Sequence, residues 1–179
     1  ICGVITRIPP AELPTNKDVF DVIALRDGDR LIGAATTARE DDEVVLVASD
    51  AQLLHFPAAL VRPQGRAAGG MAGIRLDGAA QVIALAVVPA DSASVALVVT
   101  IGGTAGALPG TVAGSAKVTP FDRYPGKGRG TGGVRSHRFT RGEDSLQLAW
   151  VGVAPRAVGA GGQAIELPEP DERRDASGR

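Results

Sequence analysis

A single cysteine, Cys2, stands in a chain of 179 residues, so no intrachain disulfide can form and a reducing cytosol is the simplest setting. Only two histidines occur, His55 and His137, and neither has a cysteine beside it. That leaves no zinc-type ligand spacing, and both read as ordinary surface or strand residues. Long apolar runs are missing too. The longest, 82–88, falls far short of the roughly 20 residues a membrane helix needs. No basic segment followed by an apolar one opens the chain, so no secretion signal is read; it starts at Ile1 and reads as a fragment or processed piece. Catalytic residues are expected to be none, because no Ser/His/Asp or paired-carboxylate arrangement stands out. The Gly-rich run 126–133 is no nucleotide-binding P-loop, since no Gly-Lys-Ser/Thr opens a helix after a strand. Asp41-Asp42-Glu43 reads as a solvated turn rather than a ligand set.

What is abundant is glycine, at 24 residues, with 12 prolines and short runs of Val, Leu and Ile, while aromatics supply only 3%. This composition describes many short strands joined by tight turns, not helices. The net charge of −1 argues by itself against a polyanionic partner. The distribution points the other way. Residues 1–50 carry five basic and ten acidic groups, whereas 111–150 carry seven basic groups (Lys117, Arg123, Lys127, Arg129, Arg135, Arg138, Arg141) against Asp122, Glu143 and Asp144. One side is therefore expected to face a polyanion and another not.

An internal repeat organises the chain. Val44-Val45-Leu46-Val47-Ala48-Ser49 matches Val95-Ala96-Leu97-Val98-Val99-Thr100 at an offset of 51. A hydrophobic-Pro pair recurs at Ile8-Pro9, Phe56-Pro57, Leu108-Pro109 and Leu167-Pro168 and is read as the start of each unit. Within the first unit, 19–25 and 31–35 form a predicted hairpin about Asp27-Gly28-Asp29, because Asp-Gly tolerates positive φ. Asp77-Gly78 and Arg141-Gly142-Glu143-Asp144 are the corresponding turns. A second predicted hairpin has arms 44–48 and 53–56, with Ser49-Asp50 near its tip. Four short strands per unit describe a blade whose two faces each need a neighbour. Three units are read, 3–50, 51–103 and 104–155, with a partial strand in 163–168. The blade region thus runs from 1 to 168, and the polar tail 169–179 is expected to be disordered. Three blades do not close a propeller, so either blades preceding Ile1 are missing, the favoured reading, or the units form an open arc.

Two basic, Gly-rich stretches stand just before the first hairpin of units two and three. The first, 62–76, contains Arg62, Arg66 and Arg75 among glycines; the second is Tyr124-Pro125-Gly126-Lys127-Gly128-Arg129-Gly130-Thr131-Gly132-Gly133-Val134-Arg135. Clustered glycines allow close backbone approach, and the cations beside them suit phosphate. Taken alone, such loops are more often mere turns, and Arg135 and Arg138 also fit a solvated strand face. Here the second stretch resembles the seven-residue box, Gln-Arg-Arg-Gly-Gly-Lys-Gly in its common form, of the C-terminal DNA-wrapping domain of the bacterial DNA gyrase or topoisomerase IV A-type chain. It keeps the central Arg129, Gly130 after it and the final Gly133. The flanking Lys117-Val118-Thr119-Pro120-Phe121-Asp122-Arg123-Tyr124-Pro125 is similar to that family as well. The first stretch resembles its degenerate boxes, and the likeness covers nearly all of 3–155. Gly128 and Gly132 depart from it by replacing two of the usual cations, and the first unit has Pro14-Thr15-Asn16-Lys17-Asp18 where a box would stand. Such departures look like a topoisomerase IV-type or actinobacterial variant.

The resemblance implies an all-β fold, the β-pinwheel, a propeller-like ring with strands exchanged between blades. It implies a non-catalytic domain that binds and bends duplex DNA through backbone contacts for ATP-dependent strand passage. The residues expected to touch DNA are Lys127, Arg129, Gly130, Gly133, Arg135, Arg66, Arg62, Arg123, Lys117 and Arg75. Partners implied are the ATPase B subunit, together with the N-terminal cleavage domain of the same polypeptide. No cofactor is expected in this fragment, ATP and Mg²⁺ acting through other domains, and the place implied is the cytoplasm, at the nucleoid, with no membrane. The competing reading is a propeller-type protein-interaction platform without DNA binding. Tyr124, although preceded by Arg123 as in the family's catalytic tyrosine, is read as structural because the box follows it, and Trp150 is read as core. The denser charge of 111–150 makes the third-unit box the expected leader over the second-unit stretch, with neither Arg129 nor Arg66 expected to bear on folding.

Overall fold

The computed structural model describes residues 2–66, 68–106, 114–159 and 161–179; Leu108-Pro109 and Ala67 lie outside them. The fold is all-β. Its strands are β1 (Cys2–Ile5), β2 (Glu43–Ala48), β3 (Gln52–Pro57), β4 (Met71–Arg75), β5 (Val82–Val88) and β6 (Leu97–Gly103), then β7 (Ala116–Pro120), β8 (Val134–Arg135), β9 (Ser145–Gly152), β10 (Ala157–Val158) and β11 (Ala164–Ile165). The helical elements among the described residues are four 3₁₀ turns of three residues each, Pro10–Glu12, Ala58–Leu60, Ala90–Ser92 and Phe121–Arg123.

Each 3₁₀ turn is preceded by a proline: Pro9, Pro57, Pro89 and Pro120, all with φ near −60° and ψ near 140°. Proline fixes that φ and has no N–H for a ladder, so it ends pairing and turns the chain. Two of the predicted pairs, Ile8-Pro9 and Phe56-Pro57, fall here; Leu167-Pro168 leads into no such turn, and Pro89 and Pro120 serve instead.

The strands form a four-stranded sheet in the order β5-β2-β3-β8, a three-stranded sheet β7-β6-β9, and two-stranded pairs β1-β4 and β10-β11, antiparallel throughout. Glu43 lies opposite Pro57 and Val88, and Leu97 lies opposite Pro120 and Gly152. These two positions are therefore equivalent and 54 residues apart, not 51. Apolar runs of one composition match in several registers; the terminal proline of the partner strand sets the true one.

β2 reads as an unbroken apolar run because both its faces are covered. Val44, Leu46 and Ala48 pack with Leu54, Phe56, Ile74 and Leu76 toward the β1-β4 pair. Val45 and Val47 pack with Leu53, Val88, Val98, Leu146 and Val151 toward the three-stranded sheet. Each such fully buried side chain contributes about 1.5–3 kcal/mol, so the middle sheet is held from both sides.

The predicted turns form, but they do not close hairpins. Ala80 N–H donates to Asp77 O (3.0 Å) and Glu143 N–H to Thr140 O (3.0 Å), with Gly78 and Gly142 at positive φ. Yet β4 before the first turn pairs with β1, and β5 after it pairs with β2. Likewise β8 pairs with β3 and β9 with β6. Each turn hands the chain from one sheet to the next, so the ladders run across the boundaries read at 50/51 and 103/104. The hairpin expected about Asp27-Gly28 is a correction: the turn forms, with Asp29 N–H on Arg26 O (3.0 Å), but residues 13–42 contain no strand. Val19, Leu25 and Leu31 stay exposed, so no second layer stabilises the arms.

The tail is a second correction. Rather than being disordered, 171–179 touches β7 at two points, Asp171 N–H donating to Val118 O (2.9 Å) and Ala116 and Arg179 exchanging both backbone bonds (3.0 and 2.9 Å), with a turn closed by Ala176 N–H on Arg173 O (3.1 Å) between them. It takes at β7 the edge that β8 takes at the equivalent strand β3, and it buries Ala176.

Candidate nucleic-acid interface

The Gly-rich box, 126–133, lies between the Phe121–Arg123 turn and β8, and backbone bonds lace it to two other strands. Lys127 N–H donates to His55 O on β3 (3.1 Å), Gly130 N–H to Gly73 O on β4 (2.7 Å), and Arg75 N–H to Thr131 O (3.0 Å). The box glycines meet steric demands beyond ligand approach. Gly130 has φ +78°, which favours glycine, and a Cβ at Gly133 would fall 2.6 Å from Leu53 O on β3.

His55 anchors the start of the box, a role that its reading as an ordinary surface or strand residue missed. Its ring is buried against Phe121, with Nε2 donating to Tyr124 O (2.9 Å) and Nδ1 meeting the Glu43 carboxylate (2.7 Å). Tyr124 is buried and structural, as expected, and burial pushes its phenol up to about 12. His137 is buried as well, its Nδ1 on Thr100 Oγ1 (2.9 Å) and its Nε2 on Ser115 Oγ (3.2 Å); desolvation lowers its pKa and keeps it neutral. Asp42 is not solvated either: its carboxylate accepts from the N–H groups of Ala38, Arg39 and Ala90 and from Thr37. Trp150, expected in the core, is 39% exposed on the outer face of the three-stranded sheet.

The structure sorts the ten residues named from sequence into three groups. Arg62, Arg75, Lys127 and Arg135 are exposed, and Arg66 and Arg129 half-buried. Among the described residues no carboxylate lies within 4.0 Å of any of these six. The box and β4 bring Arg75, Arg129, Gly130 and Gly133 together, and Arg62 follows two residues after Leu60, whose carbonyl Arg129 holds at 2.9 Å. Arg66 sits 5.9 Å from the Phe20 ring centroid, tying the first Gly-rich stretch to the N-terminal segment.

Arg123 and Lys117 belong elsewhere. Arg123 is paired with Glu172 of the tail, and Asp122 is 3.6 Å away. Lys117 is a correction: it is 2% exposed, with Nζ donating to Ser136 O (2.7 Å) and to Arg174 O, and burial pushes its ammonium down to about 8. It cannot reach a phosphate without unfolding the tail. Arg138 lies 3.9 Å from Asp175. The positive balance of 111–150 therefore overstates what the surface presents, because burial removes one of its cations and tail carboxylates neutralise others.

Chemically, the face offers unpaired guanidinium and ammonium groups around a closely packed glycine loop, with no nucleophile–base pair among the residues that form it. The pattern agrees with known proteins. The family described as the DNA gyrase C-terminal domain, beta-propeller, matches residues 42–89 and 110–146. The DNA gyrase A-type chain of Mycolicibacterium smegmatis is 36% identical over 147 residues, covering 80% of this chain and 16% of that protein. The DNA gyrase A-type chain of Salmonella typhimurium is 34% identical over 124 residues, covering 69% of this chain and 12% of that one. The chain thus spans less than a fifth of the length of these relatives. The crystal structure of the C-terminal domain of DNA topoisomerase IV shares the fold, with a TM-score of 0.70 at 15% identity over 88% of this chain and 47% of that one. With the exchanged strands, the proline-led turns and the laced box, these matches place the chain in the family of DNA gyrase C-terminal β-propeller domains.

Proposed function

We propose that the chain is a non-catalytic domain of a type IIA topoisomerase A-type chain that binds and bends duplex DNA. The observation that carries this reading is the cation-bearing glycine loop: Lys127 lies in the box, Arg75 is tied to it through Thr131 O, and among the described residues neither has a carboxylate within 4.0 Å. Unpaired cations are free to replace the counterions condensed on a phosphate backbone, and that exchange binds DNA without reading its sequence. Bending a ~20–30 bp segment costs on the order of 1–6 kcal/mol, which several such contacts along a curved rim offset.

In the whole enzyme the cleavage domain of the same polypeptide and the ATPase B subunit would act on the held segment. ATP and Mg²⁺ would serve on those domains, and the setting would be the cytoplasm at the nucleoid. Among the described residues no helix is long and apolar enough to cross a membrane.

The test is a titration of duplex DNA across salt concentrations. Each phosphate neutralised adds about −0.9 to the slope of log affinity against log salt, so four or five contacts give roughly −4. Two duplexes of unrelated sequence should bind alike. An affinity flat between low and physiological salt would sink the DNA reading and leave a protein-interaction platform.

A further inference from the structure

The box contains one arginine, and the structure has already engaged it. Arg129 donates through Nε to Leu60 O (2.9 Å) and through Nη1 to Ala72 O, so two of its five donors hold carbonyls of the Ala58–Leu60 turn and of β4. The half-buried side chain lies against that turn and β4. Arg75 is placed in the opposite way. It ends β4, is exposed, and has its backbone fixed to the box by the N–H bond to Thr131 O. Its Nη2 lies where the box has no side chain: a Cβ at Gly132 would be 3.5 Å from it. Among the described residues the Arg75 side chain has no hydrogen-bond acceptor and no carboxylate within 4.0 Å. A guanidinium from another strand therefore lies beside Gly132, with its donors unspent.

Building on the DNA-binding reading above, we infer that Arg75 is the phosphate-contacting guanidinium of the box, and that Arg129 is a positioning residue that ties the loop to Leu60 and Ala72. The two arginines divide the work. One sets the shape of the loop, and the other, reaching over it from β4, presents charge. Gly132 is part of the arrangement because, lacking a side chain, it leaves the Arg75 guanidinium uncovered on that side.

The experiment uses the whole 179-residue chain, a duplex of fixed sequence, the salt slope of affinity and the thermal midpoint. Arg75→Ala is expected to weaken binding several-fold at physiological salt and to reduce the steepness of the slope by about 1, with the midpoint unchanged. Arg75→Lys keeps the slope. Gly132→Lys in the Arg75→Ala background restores part of it, since the lysine returns one cation to the same loop. Arg129→Ala lowers the thermal midpoint, or fails to fold, and where folded keeps the wild-type slope. The assignment is overturned if Arg75→Ala binds with the wild-type slope, or if Arg129→Ala loses one unit of slope at an unchanged midpoint. A wild-type chain with no salt-dependent binding rejects the DNA reading itself, an outcome separate from these.

Discussion

Lys117 shows how far residue type alone can mislead. Its place in a basic segment beside Thr119-Pro120 makes it look like a phosphate contact, yet its ammonium is enclosed by β7, the segment after β8 and the tail. Enclosure has a measurable consequence. Burial holds the folded-state pKa at about 8, below the ordinary 10.5, so between those values the unfolded chain binds more protons than the folded one. Stability must rise with pH across that window. Tyr124 acts oppositely: its folded pKa is about 12 against an ordinary 10.0, so above pH 10 the unfolded phenol ionises first and stability falls. The urea midpoint is expected to peak close to pH 10, and Lys117→Met should remove the rising limb while leaving the falling one. A midpoint that declines steadily from pH 7.5 to 10 would contradict the burial of Lys117. The box glycines were legible from sequence as a close-approach motif. That Gly133 is demanded by β3 was not, because a steric demand is set by a backbone eighty residues away.

At the scale of elements, turns and apolar runs were readable and pairings were not. Asp-Gly positions, the β2-β3 hairpin and the buried run of β2 follow from local chemistry. The exchange of β4 and β8 into neighbouring sheets does not, because an Asp-Gly turn forms the same way whether its arms pair with each other or with strangers. The tail escaped for a related reason. Its polar composition predicts disorder, but its place is fixed by main-chain bonds to β7 and by a buried lysine's hold on Arg174 O, neither of which depends on apolar content. Removing 170–179 should expose the β7 edge and forfeit three ladder-type bonds worth about 0.5–1.5 kcal/mol each. The truncated chain is expected to have a lower urea midpoint and to self-associate with rising concentration in sedimentation experiments. If it stays monomeric with an unchanged midpoint, the tail is not what covers that edge.

For the molecule as a whole, exchanged strands join what the sequence reads as separate units. A row of self-contained repeats can lose units one by one, each contributing its own stability and interface. Here β8 belongs by sequence to the third unit and by pairing to the middle sheet, so opening either one breaks the Gln52–Arg135 and Leu53–Val134 pairs. Heating should give one transition, with calorimetric and van't Hoff enthalpies in agreement. Two resolved transitions would mean that the exchanged strands detach at little cost.

The same exchange imposes a schedule on synthesis. β3 ends at Pro57, but its partner β8 begins at Val134, so the middle sheet cannot be completed until those intervening residues have been made. At about 5–20 residues per second that is a wait of roughly 4–15 s during which β3 offers an open edge to any passing strand. On a polysome, where identical nascent chains hang side by side, the nearest strand that fits belongs to a neighbour. The Pro57 that ends β3 keeps the waiting edge short, and a chain lengthened there would be expected to exchange strands between ribosomes instead of within itself.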